Sequence, residues 1–368
     1  MKQDRTPAEP EEAKTAGLHL PAGPEPPELT RRDFLRLAAL GLGAVALDGI
    51  LSACGQSGPG ITAAPVSPTP GSPAASASAS AAGSLSATAA PSSTPAASAA
   101  LPDMVIARNG EPDALVRGAI AALGGMERFV PKGANVIVKP NICVDYRSYE
   151  YAATTNPWVV GTLVKMALEA GAGSVRVMDY PFNGTASQAY AKSGIAAQVE
   201  AAGGQMVVMS SRKFVSTAIP GGKWLKGAEV YDEILKADVL INVPIAKRHG
   251  SSVMTAGMKN LMGVVSDPGA MHGNLGQAIA DLSTVVKPDL TVVDAVRILT
   301  ANGPTGGKLS YVKKLDTVVA STDIVAADAF TATLFGLEPA DVDFIGMGAA
   351  MGLGQSDLTK LKVADFSV

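Results

Sequence analysis

From position 103 onward the chain alternates between two hydrophobic periods. Short β-branched runs are separated by stretches whose apolar positions recur every three or four residues. The runs predict strands at Met104–Ala107, Asn135–Val138, Ser174–Met178, Gln205–Met209, Phe214–Ile219, Val239–Val243, Leu290–Val293 and Thr317–Ala320. The longer period predicts helices at Pro112–Leu123, Pro157–Ala170, Thr185–Lys192, Tyr231–Ala237, Gly276–Val286 and Ile324–Leu334. Pro157 falls in a first turn, and Gly171 and Gly194 fall just past helix ends, where proline and glycine are favoured. Gly221-Gly222 marks a turn, and the Gly- and Met-rich stretch Val342–Leu353 supports no firm element. Strands alternating with helices predict an α/β fold: a largely parallel sheet with helices on both faces, as one domain or two lobes.

Residues 1–102 break this pattern. Positions 55–102 contain no charged residue, and 43 of those 48 positions are Ala, Ser, Pro, Gly or Thr. Such a composition cannot supply a packed core and predicts a disordered linker. As a random coil it would span about 35–40 Å root-mean-square. Ahead of it, Thr30-Arg31-Arg32-Asp33-Phe34-Leu35-Arg36 resembles a twin-arginine export signal, and the apolar stretch 37–53 runs into Leu51-Ser52-Ala53-Cys54, which resembles a lipobox. A spanning helix needs about 20 strongly apolar residues. This stretch has 17, is rich in Ala and Gly, and carries Asp48. The expected organisation is a signal over 1–54, a linker over 55–102 and an α/β domain over 103–368. The protein is then exported by the twin-arginine machinery and held at the outer face of the cytoplasmic membrane by a lipid on Cys54, with retention of the signal as an anchor the alternative.

Charge narrows the partners. The net charge is −3 over 368 residues, and beyond position 53 there are 24 basic and 25 acidic side chains. That balance lacks the basic field of a nucleic-acid binder. The two cysteines, Cys54 and Cys143, are too few for a disulfide framework or a Cys-ligated iron–sulfur cluster within one chain. No other cofactor is indicated.

The polar residues that remain gather where predicted strands end. Asn-Val-Ile-Val runs into Lys139-Pro140-Asn141, Ser-Val-Arg-Val-Met into Asp179, Val-Leu-Ile-Asn-Val into Lys247 and His249, and Leu-Thr-Val-Val into Asp294. In an open α/β sheet the crevice beyond the carboxyl ends of the strands is where ligands bind. Asn and Asp also serve as turn formers, but lysine directly after a β-branched run is not a turn preference. Residues 242–263 are densest, with Lys247, His249, Thr255, Lys259 and Asn260 among glycines at 250, 257 and 263. Lysines, with glycines that let backbone N–H groups approach, suit a phosphate, a carboxylate or developing negative charge. A helix starting near Thr255 would add its amino-terminal dipole. A neighbouring cation keeps His249 neutral for general acid–base work. His249 and His272 with Asp179, Asp294 or Asp323 would make a two-His, one-carboxylate set for zinc or iron, although no HxH, HxxxH or HExxH spacing supports it. Asn302-Gly303-Pro304-Thr305-Gly306-Gly307-Lys308 is no Walker sequence but could close over the crevice as a flap. Cys143 reads as a small apolar filler.

The series Val138-Lys139-Pro140-Asn141, Ala237 to Pro244, Lys247-Arg248-His249, Thr255 to Gly263, Lys287 to Asp294 and Gly303-Pro304-Thr305 resembles the domain of unknown function 362 family across nearly all of residues 103–368. The resemblance implies Lys139, Asn141, Lys247, His249, Thr255, Lys259, Asn260, His272 and Asp294 as site residues and supplies no reaction. Some relatives carry cluster-binding cysteines that are missing here. Thr300-Ala301-Asn302-Gly303-Pro304 also lacks the acid the family often shows before that loop. The reading that results is a crevice for a small anionic ligand. Lys139, Lys247 and Lys259 would hold the anion, His249 would move a proton, and Asp294 would orient a partner or metal. A non-catalytic ligand-binding lipoprotein and a metal-dependent enzyme are the alternatives.

Overall fold

The computed structural model describes residues 100–368; the twin-arginine motif, Cys54 and most of the linker lie outside the described residues. In chain order the first elements are β1 (Met104–Arg108), α1 (Pro112–Ala122), β2 (Asn135–Pro140), α2 (Pro157–Glu169), β3 (Ser174–Val177), α3 (Ala186–Ser193), α4 (Ile195–Ala201) and β4 (Gln205–Met206). Next come β5 (Phe214–Ala218), β6 (Gly227–Tyr231), α5 (Asp232–Leu235), β7 (Val239–Val243), β8 (Ile245–His249), β9 (Val253–Thr255), α6 (Gly257–Asn260) and α7 (Leu275–Ser283). The chain finishes with β10 (Leu290–Leu299), β11 (Val312–Ser321), α8 (Ile324–Thr333), α9 (Asp343–Ala350) and β12 (Val363–Ser367).

The principal sheet runs β12-β1-β11-β10-β7-β2-β3-β4, with the β8–β9 hairpin attached through β10. The pairs among β10, β7, β2, β3 and β4 are parallel, as is β1 with β12, whereas β11 lies antiparallel to both β1 and β10. The fold is thus α/β with a mixed, mostly parallel sheet, and β5 and β6 form a separate antiparallel pair.

Alternation along the strands assigns the two faces. Val136 and Val138 of β2 and Ile241 of β7 pack with Leu115, Val159, Leu163 and Val199 from α1, α2 and α4. Ile137 and Leu240, one position out of phase, pack on the opposite face with Ile279 and Leu282 of α7, Ala329 of α8 and Phe344 of α9. Helices therefore cover both faces, as the pattern predicts. Among the described residues no helix is long and apolar enough to cross a membrane.

Several elements differ from expectation. β10 and β11 each run ten residues, because the polar outer half of β11 (residues 312–316), which shows no apolar run, pairs with the mostly apolar outer half of β10. Residues 207–209 do not continue β4. α4, β8, β9, α9 and β12 carry no period that predicts them. β12 is an edge strand of Val-Ala-Asp-Phe-Ser, largely exposed. A helix does start near Thr255, at Gly257, but Thr255 itself ends β9 and the helix α6 is a single turn.

Candidate functional site

The site begins where β2 ends. The Lys139 ammonium and the Asp179 carboxylate, 2.6 Å apart, are both almost fully buried. Burying either charge alone would cost several kcal/mol, and the second Asp179 oxygen accepts the N–H of Ile142. Burial pushes the Asp179 carboxyl up and the Lys139 amine down, each against the pull of the other. Glycine is required at 263, where a Cβ would stand 2.2 Å from Asp179 Oδ1 and 2.7 Å from Lys139 Nζ.

An amide chain spreads from this pair. Asn260 Oδ1 accepts from Lys139 Nζ (3.3 Å) and from Asn141 Nδ2 (3.0 Å), and its own Nδ2 donates to Asn242 Oδ1 (2.8 Å). Asn141 Oδ1 accepts from Lys247 Nζ at 2.9 Å, and Lys247 also donates to the Ala153 carbonyl at 2.7 Å. Three strand ends and one helical turn are tied together, and with them the amide orientations.

Lys247 and His249 lie two apart on β8, hence on one face, and Lys247 stands opposite Thr255 on β9. Sequence alone reads this segment as a loop because Ala-Lys-Arg-His is too polar to show a strand period. α6 then places Lys259 beside them. A cleft of about 390 Å³ opens between these residues, with Asn141, Asn260 and His272 on its wall and Tyr180, Phe182, Met262 and Pro304 as its apolar lining.

The electrostatics of the cleft are one-sided. Asp179 is the only acid lining it, and it is already paired. Neither Lys247 nor Lys259 has a carboxylate partner among the described residues; the Lys259 amine meets only Met262 Sδ, at 3.5 Å. Burial and then Lys247 push Lys259 down to about 8. The Thr255 hydroxyl is buried without a hydrogen-bond partner among the described residues. His249 Nδ1 accepts the Ser251 N–H, so the proton of the neutral ring sits on Nε2. Burial, then Lys259, Lys247 and His272, push its pKa down to about 3. His249 therefore offers the cleft an N–H rather than a base. His272 has the opposite tautomer: its Nδ1 faces the carbonyls of Pro268 and Gly269, which leaves Nε2 as an acceptor.

Of the sequence-derived candidates, Asn141, Lys247, His249, Thr255, Lys259, Asn260 and His272 line the cleft together. Lys139 does not line it; it stands behind the wall, bound to Asp179. Asp294 is not brought to it either. It lies in the middle of β10, and its oxygens accept the N–H groups of Asn156 and Val296, which fixes the start of α2. Burial pushes it up to about 7. The expected helix dipole is also spent elsewhere, since the N–H groups of Gly257 and Met258 both donate to buried Asp328. Among the described residues no three His, Cys, Asp or Glu side chains converge as a metal-holding group, and Asp323 caps α8. The 302–307 loop does reach the site: Pro304 lines it, and Gly303 packs so closely on Arg248 that a Cβ would lie 1.6 Å from its carbonyl. Cys143 lies in the wall as a buried thiol pushed up by burial, within 3.1 Å of the Ala153 carbonyl. Asp328 and Asn242 are the site-building residues that the sequence does not single out as such. Nothing in a buried helix reading Ile-Val-Ala-Ala-Asp-Ala marks its acid as reaching two distant amides.

Fold and cleft together define an α/β protein with a cationic pocket at the strand ends. The chain belongs to the family described as Domain of unknown function (DUF362), whose model matches residues 136–333. It is 27% identical over 257 residues to the thylakoid-associated protein sll1697 of Synechocystis sp., a match covering 65% of this chain and 75% of the relative. Two solved structures are similar at a TM-score of 0.39. One is a protein from Thermotoga maritima (11% identity, 62% of this chain and 60% of that one). The other is the lactate racemase apoprotein from Thermoanaerobacterium thermosaccharolyticum (12% identity, 60% and 54%). The chain spans less than two thirds of the length of either structure.

Proposed function

We propose that the cleft binds a small carboxylate- or phosphate-bearing ligand, and that the protein is an enzyme acting on it. The observation that carries this reading is two buried lysines without carboxylate partners on the same wall as a buried, unpartnered threonine hydroxyl. Buried donors without acceptors are costly, and an anion would satisfy all three at once. Lys247 has one N–H left after serving Asn141 and Ala153, and Lys259 has more. The neutral His249 N–H would stabilise charge developing on the ligand, and His272 Nε2 would accept its proton. Asp294 acts at one remove by holding the start of α2.

Calorimetric titration of the full-length protein with inorganic phosphate and with pyruvate tests the pocket. Lys259→Met is the cleaner variant, because it strands no oxygen acceptor. It should weaken binding roughly ten- to hundredfold, the worth of one charge-assisted hydrogen bond. Unchanged affinity in Lys247→Met/Lys259→Met would end the anion reading. The proposal also places the protein outside the cytoplasmic membrane, exported by the twin-arginine machinery and lipidated on Cys54. The association with thylakoids in the name of the Synechocystis relative is in keeping with attachment to a membrane. Cys54→Ala should move the protein from the membrane to the soluble fraction, and Arg31→Lys/Arg32→Lys should hold it in the cytoplasm.

A further inference from the structure

The two cleft lysines are built differently. Lys247 is fixed by two oxygen acceptors, the amide of Asn141 and the carbonyl of Ala153, an environment suited to an ammonium. Lys259 is also buried, a little less so, and among the described residues has no oxygen acceptor, only the thioether of Met262. A thioether compensates a buried charge poorly, so this site shifts Lys259 toward the neutral amine. Lys247 beside it works in the same direction, since two ammonium groups repel. An amine titrating at about 8 rather than 10.5 has on the order of three hundred times more neutral form at pH 7. A desolvated lysine next to a second cation is how an amine becomes a nucleophile.

We propose that Lys259 forms an imine with the carbonyl group of a small oxo acid bound in this cleft. The inference rests on the anion reading, because the acid group of the ligand is what Lys247 and Thr255 would hold. The neutral amine adds to the carbonyl carbon, forming the C–N bond as the C=O double bond opens to a hydroxyl. The hydroxyl leaves as water, so both amine protons end on that water and C=N remains. One further proton from solvent makes the iminium. The His249 N–H is suited to the carbonyl oxygen during addition, and no oxidant or reductant takes part. Tyr180, Phe182 and Met262 supply apolar surface in the same cleft.

The test is reductive trapping. The full-length protein is incubated at pH 7 with pyruvate, and separately with pyridoxal 5′-phosphate, in the presence of cyanoborohydride, then digested and mapped by mass spectrometry. One reduced adduct on Lys259, at least about tenfold above any other lysine, is expected from one or both probes, with inorganic phosphate protecting. Labelling should rise with pH through about 8. Lys259→Arg should remove the adduct while keeping the melting temperature near wild type. Label spread evenly over the lysines, or an adduct that persists in Lys259→Arg, overturns the proposal. If pyruvate and phosphate bind by calorimetry but no adduct forms with either probe, the imine is refuted and the anion reading stands. If neither anion binds and no adduct forms, both fall.

Discussion

Lys247 and Thr255 stand directly opposite one another across the β8–β9 hairpin, one with its ammonium doubly bonded and the other with its hydroxyl unpartnered among the described residues. A buried unpaired hydroxyl costs about 1–3 kcal/mol. Thr255→Val keeps the branched shape that suits a strand and removes that cost. The ligand-free variant should be as stable as wild type or up to about 1 kcal/mol more so, by chemical denaturation. Its phosphate affinity should fall about three- to tenfold, the worth of one neutral hydrogen bond. A variant that loses stability and keeps its affinity would show the hydroxyl to be structural.

The Lys139–Asp179 pair gives the second expectation. Lys139→Met leaves a buried carboxylate with only the backbone amides of Ile142 and Tyr180 to compensate it, and should cost about 3–5 kcal/mol. Lys139→Met/Asp179→Leu removes both charges and should recover much of that loss. A double-mutant cycle of unfolding free energies reads the coupling. Near-additive losses would mean that the two side chains do not depend on one another.

The neutrality of His249 is a statement about pH. Its folded pKa, about 3, lies below the ordinary 6.5, so the unfolded chain takes up the proton first as pH falls. The ring therefore contributes stability that is present above about pH 6.5 and is lost progressively toward pH 3. His249→Gln should flatten that part of the pH–stability curve. Nitrogen NMR of the wild-type ring should show the Nε2-protonated neutral form at pH 5.5, where an exposed histidine is charged. A charged ring at that pH would contradict the tautomer and the N–H role built on it.

Much of the fold was legible because burial leaves a period. β2, β3 and β7 and helices α1, α2 and α8 follow from β-branched runs, an apolar period of three to four residues and a proline in a first turn. Of the candidate site, seven residues fall together in the cleft because strand ends of a parallel sheet converge. Lys139 and Asp294 did not follow, for a common reason. A charged residue at the end of an apolar run reads the same whether it faces a crevice or a buried partner. Only the approach of Asp179 to one, and of the Asn156 amide to the other, separates the cases.

The sequence by itself determined the α/β class, most of the central strands and the stretch that holds the candidate site, since these depend on local hydrophobic period and composition. The tertiary structure decided which lysine is paired and which stands unpaired, which histidine nitrogen carries the proton, and that Thr255 has no partner. The histidine protons are fixed by groups two to four residues away, but the lysine pairings belong to contacts between distant segments, such as Asn141 with Lys247 and Asn260. No local pattern encodes them, because a hydrogen bond depends on where two groups meet and not on the residues beside either one.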